Sequence, residues 1–174
     1  MTVRALVLGG ARSGKSSFAE ELALGLGGDR VLYVATAVVS DGDEELSRRV
    51  RDHQQRRPAG WGLLELPGGG LEPILDASRG YDAVLFDSLT LWVSARMYGA
   101  DDGSTVDEME RFLEEASVIP EPLILVSDEV GLGLVPESAE GRRFRDLLGL
   151  VNQRVGAVAE DVHLCVAGIP VRIK

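Results

Sequence analysis

Residues 5–24 read ALVLGGARSGKSSFAEELAL, an apolar run, a glycine-rich turn and a helical pattern in direct succession. The turn fits G-x-x-x-x-G-K-[ST] with Gly9, Gly10, Ala11, Arg12, Ser13, Gly14, Lys15 and Ser16. In that arrangement the glycines let successive backbone N–H groups curl around phosphate oxygens, and the helix N-terminus adds its dipole. Lys15 is then a mobile positive charge, and Ser16 is a hydroxyl able to ligate Mg2+. A purely structural turn would need neither the lysine nor the serine. The pattern therefore predicts a nucleotide-phosphate loop, and it commits the chain to a buried strand leading directly into a helix.

Further apolar stretches at 31–35, 83–86, 122–126 and 162–167 repeat the character of the first, at 3–8. They are short, rich in β-branched residues and mostly not alternating, as strands covered on both faces are. Helical patterns lie between them at 15–24, 43–56, 89–97, 107–116 and 139–158. In the last of these Phe144, Leu147, Leu148, Val151, Val155 and Val158 form an apolar stripe. Alternating strands and helices predict an α/β fold with right-handed crossovers and a mostly parallel central sheet flanked by helices. At 174 residues with 45% hydrophobic side chains, one domain over 1–174 is expected. The segments PGGGLEP (67–73) and YGADDGSTVDE (98–108) read as the loosest, and Cys165, the single cysteine, reads as core filler.

The net charge of −10 disfavours a phosphate backbone as partner, so small molecules are expected rather than nucleic acid. No apolar run is long enough to span a membrane, and the expectation is a cytoplasmic protein. Against that acidic background, residues 48–57 hold Arg48, Arg49, Arg51, Arg56 and Arg57 with one acid, Asp52. This reversal of sign suits a polyanionic substrate, although Arg48 and Arg49 could equally pair with the acids just before them. His53 has two readings. It continues the stripe Leu46–Val50–His53 of a helix, as a packed core residue would. It also stands in the last turn before Pro58, where a side chain meets the carboxyl rim of the sheet, the place where open α/β sheets bind ligands. A neutral imidazole there is a plausible nucleophile. Asp87, ending YDAVLFD, is either a carboxylate for Mg2+ or a cap for the helix that follows. Trp61 reads as a core anchor in the strand WGLLELP.

GGARSGKS, HQQRRPAGWGLLE, FDSLTLW, SDEVGLGLVPE, FRDLLGLVNQRV and VAGIPVRIK occur in one order along the chain. Together they resemble the bifunctional adenosylcobinamide kinase / adenosylcobinamide-phosphate guanylyltransferases of cobalamin biosynthesis, over nearly the full length. The resemblance implies a RecA-like P-loop NTPase fold, often a homotrimer, using GTP, ATP and Mg2+. Its substrates would be adenosylcobinamide and adenosylcobinamide phosphate. The reactions would be phosphorylation of the corrinoid hydroxyl and then transfer of GMP onto that phosphate. His53 matches the histidine that carries GMP, and Thr36, Ala37, Val38, Gln54, Gln55, Arg56, Arg57 and Glu65 match segments near the guanine nucleotide. Asp87 matches an acidic position at that site and, with Ser16, is the expected metal contact.

Three positions depart from the pattern: Asp128 stands where asparagine is usual, Ser88 where cysteine is common and Ala95 where asparagine is common. Glu129 or Asp128, after the strand PLILVS, would supply the base for the kinase step. Two rival functions share the P-loop: a small-molecule kinase that never guanylylates itself, and a nucleotide-dependent switch module.

Overall fold

The computed structural model describes residues 2–37 and 57–174. The elements in chain order are β1 (Val3–Gly9), α1 (Lys15–Gly27), β2 (Val31–Ala35), β3 (Gly62–Glu65), α2 (Glu72–Ala77), β4 (Ala83–Asp87), α3 (Leu89–Arg96), α4 (Asp102–Ala116), β5 (Leu123–Asp128), α5 (Ala139–Val158), β6 (Asp161–Val166) and β7 (Ile169–Arg172). The predicted helix at 43–56 lies outside the described residues.

The strands form one 7-stranded sheet in the order β3-β2-β4-β5-β1-β6-β7. Neighbours from β3 to β6 pair in parallel, and only β7 runs antiparallel, as a hairpin on β6. The α/β fold with a mostly parallel sheet is therefore as expected. The β7 edge was not foreseen. Its turn has Ala167 at φ 52° and Gly168 at φ 82°, two successive left-handed residues that join strands tightly.

Side chains alternate between the two faces of the sheet, except where the register of β1 shifts between Val3 and Ala5. Val3, Leu6, Leu8, Leu32, Val34, Val84, Phe86, Leu123 and Leu125 face α2, α3, α4 and α5, where they meet Ile74, Trp92, Met109, Phe112, Leu148 and Val151. Ala5, Val7, Val31, Tyr33, Ala83, Leu85, Ile124 and Val126 face α1, where they meet Ala19 and Ala23, with Cys165 buried among them. Burial pushes the Cys165 thiol up, in keeping with a core filler. α1 runs a turn beyond the predicted end at residue 24. Its Gly27 lies so close to the sheet that a Cβ there would meet Val31 Cγ2 at 2.9 Å and Ala83 Cβ at 3.0 Å.

Both segments expected to be loose contain structure. Gly69 O accepts from Trp92 Nε1 at 3.1 Å, and Leu71 N–H donates to the buried Glu108 at 3.2 Å, so 67–73 is pinned down before α2 begins. Glu108 in turn pairs with Arg96 at 2.5 Å. α4 starts at Asp102 rather than 107 because Asp101 caps it, accepting from Ser104 N–H at 3.0 Å. α5 matches its predicted bounds and is capped by Ser138, which accepts from Gly141 N–H at 3.0 Å.

Candidate functional site

The phosphate loop joins β1 to α1 at the carboxyl rim of the sheet. Gly14 sits at φ 90°, a left-handed conformation open to glycine, and directs the following N–H groups into the helix start. A Cβ on Gly14 would also meet Gly168 Cα at 3.1 Å, because the β6–β7 turn packs underneath the loop. Gly168 N–H donates to Ser13 O at 2.9 Å, which fixes the loop from below. Ser13 N–H donates to Gly10 O at 3.3 Å, and its Oγ is buried beside Gly9 without a hydrogen-bond partner.

Lys15 Nζ donates to Gly10 O at 3.2 Å and pairs with Asp128 Oδ1 at 2.5 Å. The pairing follows from the sheet register, in which β1 and β5 lie side by side and Gly9 is opposite Asp128. Asp128 is fixed through its backbone: its N–H donates to Thr90 Oγ1 at 2.8 Å, and its carbonyl accepts from Asn152 Nδ2 at 3.2 Å. Glu129 N–H donates to Gly9 O at 3.1 Å, whereas its carboxylate folds back to accept from Gly131 N–H at 2.7 Å. Of the two acids considered for the kinase base, Asp128 is the one facing the loop lysine.

One strand further from the loop, Asp87 ends β4. Ser88 performs the capping role considered for Asp87, accepting from Leu91 N–H at 3.4 Å. Asp87 accepts from the Tyr33 hydroxyl at 3.0 Å. Burial, and then the nearby Asp87 charge, hold the Tyr33 hydroxyl far above its ordinary pKa, so it stays a donor. The other side of Tyr33 carries Arg57, whose guanidinium carbon lies 3.6 Å from the ring centroid. Thr36 is fully buried, with its hydroxyl donating to Ser88 O at 2.7 Å and accepting from Ser88 N–H at 2.9 Å. Ala37 follows it, and exposed Glu65 ends β3 on the same rim, in register with Ala35. Trp61 is half-buried against the α1 face, its indole N–H donating to Gly28 O at 3.0 Å, as a core anchor would.

The fold thus brings Gly9 to Ser16, Thr36, Ala37, Arg57, Glu65, Asp87, Asp128 and Glu129 to one rim. Val38, His53, Gln54, Gln55 and Arg56 lie outside the described residues. Sequence reasoning passed over Tyr33. A phenol in the otherwise aliphatic buried strand VLYVA needs a partner for its hydroxyl, and that need was the available signal.

Among the described residues no group of three or more His, Cys, Asp or Glu side chains could enclose a metal. A cation here would draw on single oxygens such as those of Ser16 and Asp87 together with substrate oxygens. That donor chemistry fits Mg2+, which keeps several waters and binds through one or two carboxylates plus phosphates.

A family model described as cobinamide kinase / cobinamide phosphate guanyltransferase matches residues 5–173. The chain belongs to this family. Over 173 residues it is 41% identical to the bifunctional adenosylcobalamin biosynthesis protein CobP of Pseudomonas aeruginosa, covering 99% of this chain and 98% of that one. The CobU proteins of Salmonella typhimurium and Escherichia coli, also called bifunctional adenosylcobalamin biosynthesis proteins, are each 37% identical over 185 residues, covering 97% of this chain and 98% of theirs. Among solved structures, the flagellar accessory protein FlaH of Methanocaldococcus jannaschii superposes with a TM-score of 0.55 at 15% identity, covering 94% of this chain and 70% of that one. That likeness is one of fold, and it agrees with the RecA-like sheet expected of the family. Membership makes the chain a member of an enzyme family that combines kinase and nucleotidyltransferase activities.

Proposed function

We propose that this chain phosphorylates the hydroxyl of adenosylcobinamide and then transfers GMP from GTP to the resulting phosphate, with His53 carrying GMP in between. The observation that best supports this reading is the phosphate loop itself. A lysine, a buried unpartnered serine hydroxyl and a helix N-terminus converge at the rim, in a chain whose family match runs over residues 5–173.

In the transferase half, a ring nitrogen of His53 attacks the α-phosphorus of GTP. The P–N bond forms as the P–O bond to pyrophosphate breaks, and the departing charge is gathered by the loop amides and Lys15. A phosphate oxygen of adenosylcobinamide phosphate then attacks the same phosphorus, the P–N bond breaks, and the imidazole is released. Arg57, its guanidinium carbon 3.6 Å from the Tyr33 ring centroid, is a fixed cation for guanine-nucleotide phosphates, and Gln54, Gln55, Arg56, Thr36, Ala37, Val38 and Glu65 supply the further contacts to that nucleotide. In the kinase half ATP or GTP is the donor, and Glu129 takes the hydroxyl proton after its carboxylate leaves the Gly131 N–H from which it accepts at 2.7 Å. Mg2+ would be held by Ser16 and Asp87, where it would supply charge neutralisation for the phosphates. Tyr33 keeps the Asp87 carboxylate oriented on the rim.

We place the chain in the cytoplasm, where the family's nucleotide substrates are found; among the described residues no helix is long and apolar enough to cross a membrane. It assembles as a homotrimer, for which the exposed apolar side chains Leu132, Leu134, Ile169 and Ile173 offer contact surface. Incubation with GTP labelled at the α-phosphate is the direct test. An acid-labile protein adduct that disappears in His53→Ala is expected. No adduct, or one that survives the substitution, would overturn the transferase reading and leave the small-molecule kinase and the switch module.

A further inference from the structure

The acid that ends β5, Asp128, is the counter-charge set against the loop lysine among the described residues. Lys15 Nζ and Asp128 Oδ1 are 2.5 Å apart, with the two side chains only 14% and 24% exposed. A pair so shielded holds its charges more firmly than a surface pair does. A second donor of the same ammonium is spent on Gly10 O at 3.2 Å. The lysine that should greet phosphate is therefore turned toward protein oxygens.

The acid has little freedom to yield. Its backbone is tied to Thr90 on α3 and Asn152 on α5, and its residue lies opposite Gly9 in the sheet. Opening the pair means moving Lys15, after which the carboxylate stays behind beside the phosphates. Glu129, the next acid along, points away into its own turn, and Asp87 on the adjacent strand accepts from Tyr33.

We propose that Asp128 makes nucleotide binding depend on a divalent cation, by holding Lys15 in an ion pair that a metal-free triphosphate opens poorly and a metal-bound triphosphate opens readily. The inference rests on the reading that this loop takes a nucleoside triphosphate. Without metal the incoming tail meets a lysine already neutralised and then a fixed like charge. With Mg2+ about half of the tail's charge is cancelled, and the freed carboxylate faces a field that attracts it. The consequence is selection of the metal complex, the form competent for phosphoryl and nucleotidyl transfer, over the free nucleotide.

The test is a fluorescence titration of wild type and Asp128→Asn with a fluorescent GTP analogue, in EDTA and in Mg2+, with circular dichroism to establish folding. Asp128→Asn should tighten metal-free binding about tenfold while changing binding in Mg2+ by less than about twofold. Asp128→Ala should move the same way. In a Lys15→Ala background the metal-free gain should shrink but not vanish, because no ammonium remains to be released while the like charge beside the phosphates is still removed. An equal change with and without Mg2+, or a full gain persisting in the Lys15→Ala background, would overturn the proposal. Wild-type protein that binds the analogue in Mg2+ but shows no such difference sinks the selection alone. Failure to bind in Mg2+ removes the nucleotide reading as well.

Discussion

On one face of the sheet Leu6, Leu8, Phe86 and Leu125 meet Trp92, Met109, Phe112 and Leu148, whereas on the other Ala5, Val7, Ala83 and Val126 meet Ala19 and Ala23 of α1. The first face buries large side chains against four helices, and most of the apolar area removed from water lies there. On the second, among the described residues, it is the helix side that is small, with Ala19 and Ala23 set against Tyr33, Leu85 and Ile124 of the strands, and α1 approaches until Gly27 has no room for a methyl group. α1 is also the helix that begins at the phosphate loop. The large-residue face holds the fold together, and the α1 face fixes where the loop sits.

Substitutions on the two faces should therefore part stability from binding. Trp92→Ala removes a fully buried indole and is expected to cost about 3–5 kcal/mol by denaturant unfolding. Nucleotide affinity measured well below the transition should hold, and a matching loss of affinity would break the division. Gly27→Ala forces its new methyl against Val31 and Ala83 and should cost less, about 1–3 kcal/mol, while weakening nucleotide binding several-fold. If binding is untouched, α1 does not set the loop. Ser138→Ala deletes the α5 cap and should lower stability by about 1 kcal/mol with affinity unchanged, a control confined to the large-residue face.

The smallest effect concerns His163, on β6 of the α1 face, packed edge-on to Phe18 with ring centroids 5.0 Å apart. Burial lowers its pKa in the folded state, despite the opposing pull of Asp161. The neutral ring is favoured by folding, so the full contribution is present above its unfolded value of about 6.5 and declines as pH falls through that value toward the lowered one. His163→Gln should flatten the fall in unfolding midpoint between about pH 7 and about pH 5. An unchanged slope would assign that fall to other groups.

How much of this was legible in the chain depended on whether the signal was local. α5 was read to its ends because its stripe is long and Ser138 caps it, and the phosphate loop because each residue in GGARSGKS answers a chemical need. α4 was begun five residues late because ADDGST has loop composition, and only the cap at Asp101 turns it into a helix start. α2 and β7 are short, and they are held by Glu108, Trp92 and a two-residue turn rather than by periodicity. At the site, Asp87 and Arg57 were picked out one by one, but the Tyr33 side chain that joins them arrives from a different strand. The pairing of Lys15 with Asp128 depends on β1 lying beside β5, a register set by residues more than a hundred positions apart.

The hydrogen bond from Gly168 to Ser13 has a further meaning for how the protein is made. The phosphate loop rests on a turn made more than a hundred residues later in the chain, and β1 lies between β5 and β6. A nascent chain emerging from the ribosome carries the loop's residues long before it owns the partners that shape them. Competence to grip phosphate thus waits until the β6–β7 turn has been made, so that a product interrupted before it would carry the motif without the hold.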